Sequence, residues 1–262
     1  MLRRRLIPVL LLKNGALVRS ELFRLHQIIG DPYHEVRRFN EWNVDELIYL
    51  DITREAAQTG GRSDHRTRPL EGTLNILEEV SRSCFMPLTW GGGIRSLEDM
   101  HQRFERGADK ITLNTAAFDR PELITEAAQA FGSQAVVVSI DVWKPGPGPG
   151  VVYVEGGTRA TGWSPADWAR ECEHRGAGEI LLQTIQRDGT ASGYDIESIG
   201  AVAGAVSVPV IACSGVGRFE DYAAGIAAGA SAVAAANLWH FKELADRMGK
   251  KALAKAGVQV RL

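Results

Sequence analysis

Two stretches of this chain can be laid on one another without a gap. The segment from Met86, MPLTWGGGIRSLEDMHQRFERGADKITLNTAAF, aligns with the segment from Val208, VPVIACSGVGRFEDYAAGIAAGASAVAAANLWH. Pro87 falls on Pro209, Asp99 on Asp221 and Gly107 on Gly229, a constant offset of 122 residues. Each copy reads as strand, glycine turn, helix, strand. A duplicated unit of that kind cannot bury its own apolar faces, so the copies must share one core. A looser match sets LIPVLLLKNG against VVVSIDVWKPG and places Leu11 opposite Asp141. The duplication predicts two fused half-barrels, with the closer repeat supplying strands three–four and seven–eight.

The rest of the chain follows the same rhythm. Short apolar runs, each suited to a parallel strand covered on both faces, fall at Leu6–Leu12, Leu47–Asp51, Met86–Thr89, Lys110–Leu113, Ala135–Asp141, Glu179–Gln183, Pro209–Ala212 and Ala232–Ala235. Amphipathic stretches lie between them, among them Pro32–Asn43, Ser96–Arg106, Pro121–Phe131, Ser164–Arg175 and Phe219–Ala228. Ser96 ahead of Glu98 and Asp99, and Ser164-Pro165 ahead of Asp167, are helix-start signals. Eight strand–helix units predict an α/β fold, a single (β/α)8 TIM barrel over residues 1–262, with an open doubly wound sheet as the alternative. Two irregular stretches, Thr53–Gly72 and Lys144–Gly150, follow strands and so are placed on the face where such barrels carry function. The first reads as a mobile segment whose basic residues, Arg62 to Arg68, either meet a phosphate or are simply solvated.

A formal net charge of −2 provides no general attraction for nucleic acid. Cys84, Cys172 and Cys213 are widely separated and odd in number, which fits reduced thiols in a cytoplasmic protein. The N-terminal apolar run ends by Leu12, contains Pro8 and lacks a small-residue cleavage site, so it reads as the first strand rather than a signal peptide. No apolar stretch is long enough for a membrane span. The histidines share no ligand spacing, and neither a metal nor a cofactor is expected.

The candidate chemistry lies at strand ends. Gly91-Gly92-Gly93 precedes a helix start, where backbone N–H groups and the helix dipole favour an anion. Asn114 and Thr115 add side-chain donors to this first phosphate site. Ser214-Gly215-Val216-Gly217 with Asn237 forms its repeat-related partner. Asp51, Asp141 and Asp188 end strands two, five and six, where a carboxylate serves as acid or base, orients a hydroxyl, or merely caps a loop. Asp141 stands out because it closes an apolar strand, where a charge is costly unless used. Asp188-Gly189 serves either as a ligand contact or as a simple turn.

The segments LDIT, GGGIRSLED, GADK, NTAA, FGSQAVVVSID, GAGEILL, RDGTASGYD and WHF together resemble the cyclase subunit family of imidazole glycerol phosphate synthase, over essentially the whole chain. In that family a separate glutaminase releases ammonia, which crosses the barrel and attacks a bis-phosphorylated ribonucleotide. A lyase reaction then yields imidazole glycerol phosphate and an aminoimidazole carboxamide ribotide. The resemblance implies a glutaminase subunit at the N-terminal face of the barrel. It also implies phosphates bordered by Gly93, Asn114, Gly215 and Asn237, and an ionic gate for ammonia made by Arg5, Glu46, Lys110 and Glu179.

The chain departs from the family at its chemistry. The family uses two aspartates, at the ends of strands one and five. The second is Asp141, but the first falls on Leu11, which cannot move a proton. Gln183 stands for a threonine, Ser214 for the first glycine of the second phosphate loop, and Asn237 for a serine. Asn14-Gly15 replaces Asp-Gly, and Arg19 replaces a lysine. CFMPL, VVVSIDV, NTAAF and SAVAAANLWHF resemble a divergent branch. Its members accompany a glutaminase-like protein and an ATP-dependent amidotransferase in amidation of surface-polysaccharide sugars. Three readings stay open: an ammonia-receiving synthase subunit for such an amidation, the ordinary cyclase of histidine biosynthesis, and a non-catalytic scaffold that activates a glutaminase.

Overall fold

The computed structural model describes residues 3–42, 44–53 and 72–261. The basic cluster Arg62 to Arg68 and nearly all of the stretch expected to be mobile lie outside the described residues. The chain runs β1 (Arg5–Lys13), β2 (Ala16–Glu21), β3 (Leu25–Gly30), α1 (Pro32–Trp42), β4 (Leu47–Asp51), α2 (Thr73–Ser83), β5 (Leu88–Gly91), α3 (Leu97–Glu105) and β6 (Lys110–Leu113). It continues through α4 (Thr115–Asp119), α5 (Glu122–Phe131), β7 (Val136–Trp143), β8 (Val151–Val154), β9 (Arg159–Ala160), α6 (Pro165–His174) and β10 (Glu179–Thr184). It ends with α7 (Ile196–Ala203), β11 (Val210–Cys213), α8 (Glu220–Ala227), β12 (Ala232–Ala235), α9 (Asn237–Phe241) and α10 (Ala245–Lys255).

β1, β4, β5, β6, β7, β10, β11 and β12 pair in that order, each parallel to the next, and β12 pairs β1 to close the ring. The closed barrel, and not the open sheet, is the fold. Successive side chains point to opposite faces of a strand, so each barrel strand feeds two cores. On β1, Leu6, Leu10 and Leu12 pack outward under the helices, while Ile7, Val9 and Leu11 point into the barrel with Ile48, Val137, Leu181, Ile211, Ala232 and Ala234.

Helix starts follow the sequence signals. The Ser96 side chain accepts from the backbone N–H of Asp99, and that of Ser164 from Asp167. Strand three begins at Leu88, two residues later than expected from Met86. Pro87 has no N–H for the ladder and instead offers its carbonyl to Leu47 at 2.9 Å.

Two hairpins are additions that the apolar runs did not signal. β2 and β3 extend from β1, with Leu11 opposite Val18, and β8 and β9 extend from β7, with Asp141 opposite Tyr153. The extensions sit at strand one and strand five, the two strands that the looser alignment sets on one another. β3 is mostly exposed, so it lacks the unbroken apolar character that marks the barrel strands.

Candidate functional site at the barrel mouth

The β-strand alternation that fills the barrel also sorts polar groups to its two ends. At the N-terminal end the inward positions are Arg5, Glu46, Lys110 and Glu179. Arg5 donates to Glu46 at 2.5 Å and to Glu179 at 2.7 Å; Lys110 donates to both at 2.9 Å. The four charges form a closed alternating ring in which every cation touches both anions. Burial opposes the Arg5 charge, but the two carboxylates outweigh it and hold the guanidinium above its usual range. The hydroxyl of Thr89 adds a bond to Glu46 at 3.1 Å. Directly above the ring the interior is lined mainly by Ile7, Ile48, Val137, Leu181 and Ile211, with the hydroxyl of Thr112 among them.

At the C-terminal end lies a cavity of about 1460 Å³. Asp141 stands on its floor, 5% exposed. Its carboxylate accepts from Ser139 Oγ, Gln183 Nε2 and Asn114 Nδ2, each at 3.2 Å. Gln183 also donates to Ser139 Oγ at 3.1 Å, so the cluster is cross-braced. Burial pushes the Asp141 carboxyl up to about 7, against the pull of these three hydrogen bonds. A carboxyl poised there exchanges its proton readily near neutrality. Leu11, on the equivalent position of the first half-barrel, lines the same cavity but sits among Val9, Val18 and Leu50.

The two glycine loops occupy equivalent places on the rim. Gly92 has φ +104°, and a Cβ there would meet the Asp51 carbonyl oxygen at 2.1 Å. Its partner in the repeat is Ser214, which takes φ +78° although it carries a side chain. A left-handed backbone at a non-glycine residue is strained. Ser214→Gly is therefore expected to raise stability by roughly 1 kcal/mol, read as a higher urea midpoint with an unchanged slope. A lower midpoint would show that the hydroxyl is stabilising. Gly215, at φ +90°, approaches the Gly193 carbonyl so closely that a Cβ would meet it at 2.2 Å. Among the described residues, the buried Ser214 Oγ and the Oδ1 of Asn237 have no partner, and both residues line the cavity.

The remaining expected site residues have structural partners. Asp51 accepts from the Thr53 N–H at 2.9 Å and from the Thr73 hydroxyl, which ties the strand end to the start of α2. Asp188 accepts from Ser20 Oγ at 2.6 Å and Phe23 N–H at 3.1 Å, and its carbonyl takes the Leu22 N–H. It thereby anchors the β2–β3 turn, where Leu22 and Phe23 both have positive φ. Burial raises the Asp188 carboxyl. Gly189 passes beneath the same hairpin, where a Cβ would meet Ser20 O at 2.3 Å. Thr115 Oγ1 accepts from the Glu155 N–H at 2.9 Å and so tethers the β8–β9 hairpin to the start of α4. Asn237 donates to Ser20 O at 3.0 Å.

Arg103 was not anticipated. It reads as one more polar residue on a helix, yet it is 6% exposed. Its guanidinium donates to the carbonyls of Asp99 at 2.7 Å and Gly92 at 3.2 Å. Burial lowers its pKa. It places a cation behind the first glycine loop, a position that a helix-face pattern cannot distinguish from solvent. Lys13 and His26, 3.1 Å apart, and the aromatic residues Phe23, Trp143 and Tyr153 also line the cavity.

Comparison with known proteins agrees with this architecture. Residues 5–245 match the family model described as "Histidine biosynthesis protein". The imidazole glycerol phosphate synthase subunit HisF of Gluconacetobacter diazotrophicus is 41% identical over 261 residues, covering 100% of this chain and 97% of that protein. A match through both half-barrels, together with this near full-length relative, places the chain in the histidine biosynthesis protein family, among the HisF-like (β/α)8-barrels.

Proposed function

We propose that this chain is the ammonia-receiving synthase subunit of a glutamine-dependent system that amidates a surface-polysaccharide sugar. A separate glutaminase docks at the N-terminal face, and an ATP-dependent amidotransferase completes the system. Ammonia enters past Arg5, Glu46, Lys110 and Glu179 and crosses the apolar interior. Uncharged ammonia passes such a wall, whereas an ammonium ion would lose its hydration there without compensation. It emerges beside Asp141, under a phosphorylated ligand held by the loops at Gly92-Gly93 and Ser214-Gly215 with Asn114, Thr115, Gln183, Asp188, Gly189 and Asn237.

The observation that carries this reading is the asymmetry of the mouth. The second half-barrel presents Asp141 with its carboxyl near 7, and the first presents Leu11 in an apolar setting. Asp51 and Asp188, which also line the cavity, are committed to loop and hairpin hydrogen bonds. A ring closure needing a carboxyl at each of these two positions lacks one of them.

A second reading, the cyclase of histidine biosynthesis, is supported by the 41% identity to a HisF subunit over the full chain. Complementation separates the two. Expression in a bacterium that lacks only its cyclase subunit is expected to leave it dependent on histidine. Robust growth without histidine would overturn the amidation reading in favour of the cyclase. Leu11→Asp is expected to raise cyclase turnover with free ammonia by about a hundredfold, the scale of one general acid or base. Unchanged turnover in that variant would show that the pocket around Gln183 and Ser214 has diverged as well.

A further inference from the structure

The exposed apolar surface of the molecule is gathered rather than scattered. Among the described residues nine large apolar side chains stand exposed. Six of them, Leu22, Leu25, Ile28, Phe241, Leu244 and Met248, fall on the β2–β3 hairpin and the α9–α10 segment. Leu25 is 64% and Phe241 61% exposed. The two elements are neighbours at one sector of the rim. The hairpin extends the mouth end of β1, α9 follows the mouth end of β12, and β12 pairs β1. Asn237, at the start of α9, donates to the Ser20 carbonyl of β2 at 3.0 Å. A single exposed leucine is ordinary, but a cluster of this kind marks a contact. Two of the six also sit on left-handed backbone, Leu22 at φ +55° and Leu244 at φ +52°. That conformation favours glycine or asparagine, so a leucine held there in water serves neither the turn nor the core.

The same segments are basic, in a chain whose formal net charge is −2. Arg24, Lys242, Arg247, Lys251 and Lys255 are exposed, and across residues 22–28 and 241–255 the one exposed acid is Glu243. On α10 the buried side carries Ala245, Gly249 and Leu253. Leu244, Met248, Lys251 and Lys255, spaced three and four apart, therefore share the outer face. The helix dipole favours cations near the end of α10, but it does not account for the apolar residues before them. We propose that this sector of the rim docks on an anionic lipid surface, with its apolar side chains entering the headgroup region and its cations meeting acidic headgroups. Exposed apolar groups flanked by cations are what such a surface takes up. Lysine is depleted from protein–protein interfaces, whereas on a bilayer its stem lies along apolar surface and its ammonium reaches the headgroups. The contact is peripheral: no helix among the described residues is long and apolar enough to cross a membrane. It sets the cavity mouth beside the lipid and is independent of the chemistry assigned to Asp141 and Leu11.

Sedimentation of the intact protein with vesicles tests the contact. Vesicles of phosphatidylcholine mixed with phosphatidylglycerol are expected to bind it on the order of a hundredfold more strongly than phosphatidylcholine alone, and concentrated salt should release it. Lys251→Gln with Lys255→Gln should weaken binding to the mixed vesicles roughly tenfold. Leu25→Ser with Ile28→Ser, and Phe241→Ser with Met248→Ser, should each weaken it by a similar factor. All six positions are exposed, and an unchanged urea midpoint shows that each variant is folded. Failure of the intact protein to bind the mixed vesicles, or binding that survives the three pairs combined, overturns the proposal. A loss confined to one of the two elements overturns the joint surface. Binding of polyglutamate without binding of vesicles overturns it in favour of an acidic protein partner.

Discussion

Asp141→Asn is expected to make this protein more stable at pH 8 and to leave its stability at pH 3.5 unchanged. The Asp141 carboxyl is held near 7 in the folded chain against an ordinary value of 3.8. Between those values the folded protein binds a proton that the unfolded chain does not. Stability from this group is therefore complete below about pH 4 and is lost as pH rises through about 7. The full loss is on the order of 4 kcal/mol at pH 8. An asparagine avoids it, and Asn114 and Gln183 can turn their amides to serve the new donor and acceptor. Urea unfolding of both proteins at pH 3.5, 6 and 8 measures the difference, which should grow with pH. A gap that is constant across pH would mean that Asp141 does not carry the linkage. The same substitution is expected to abolish the biological output of the site, because a residue this costly to stability is retained for its chemistry.

Arg5→Ala should have an effect of similar size and opposite sign. Removing Arg5 leaves Glu46, whose side chain is 3% exposed, and Glu179, 10% exposed, sharing Lys110 as their only remaining cation of the ring. Breaking a buried ion pair from one side typically destabilises by about 3–5 kcal/mol, since it strands charges that have lost their hydration. Replacing all four residues with apolar side chains, Arg5→Met, Glu46→Leu, Lys110→Met and Glu179→Leu, is expected to be near neutral or stabilising, because desolvation and attraction vanish together. Denaturant unfolding of the two variants decides whether the ring is required by the fold. A stable apolar variant that no longer couples glutamine hydrolysis to the output would assign the ring to ammonia passage. A strongly destabilised apolar variant would assign it to structure.

Several features of the site could be read from the order of residues alone. The offset of 122 residues made Gly92 and Ser214 equivalent before any geometry was known, and both take positive φ. Ser96 and Ser164 announced their helices because a cap is a local device. Asp141 was conspicuous as a carboxylate closing an apolar run. The hairpins were not legible, because β3 is largely exposed and has no apolar signature. Their absence from the sequence reading hid the partners of Asp188, which lie in residues 20 and 23. Arg103 was hidden for a related reason: a helix pattern gives its face but not the loop folded over it.

The sequence by itself determined the barrel, its duplication and the leucine at position 11 that the repeat sets opposite Asp141. These are properties of periodicity and residue type, and each is written in contiguous stretches of chain. Only the tertiary structure decided how the four gate charges pair and which groups hold the aspartates. Arg5 and Glu179 are 174 positions apart, and Ser20 and Asp188 are separated by 168. Barrel closure brings such residues within hydrogen-bond reach, and the resulting burial sets the protonation of Asp141. Desolvation depends on what surrounds a group in space, and no local pattern encodes that.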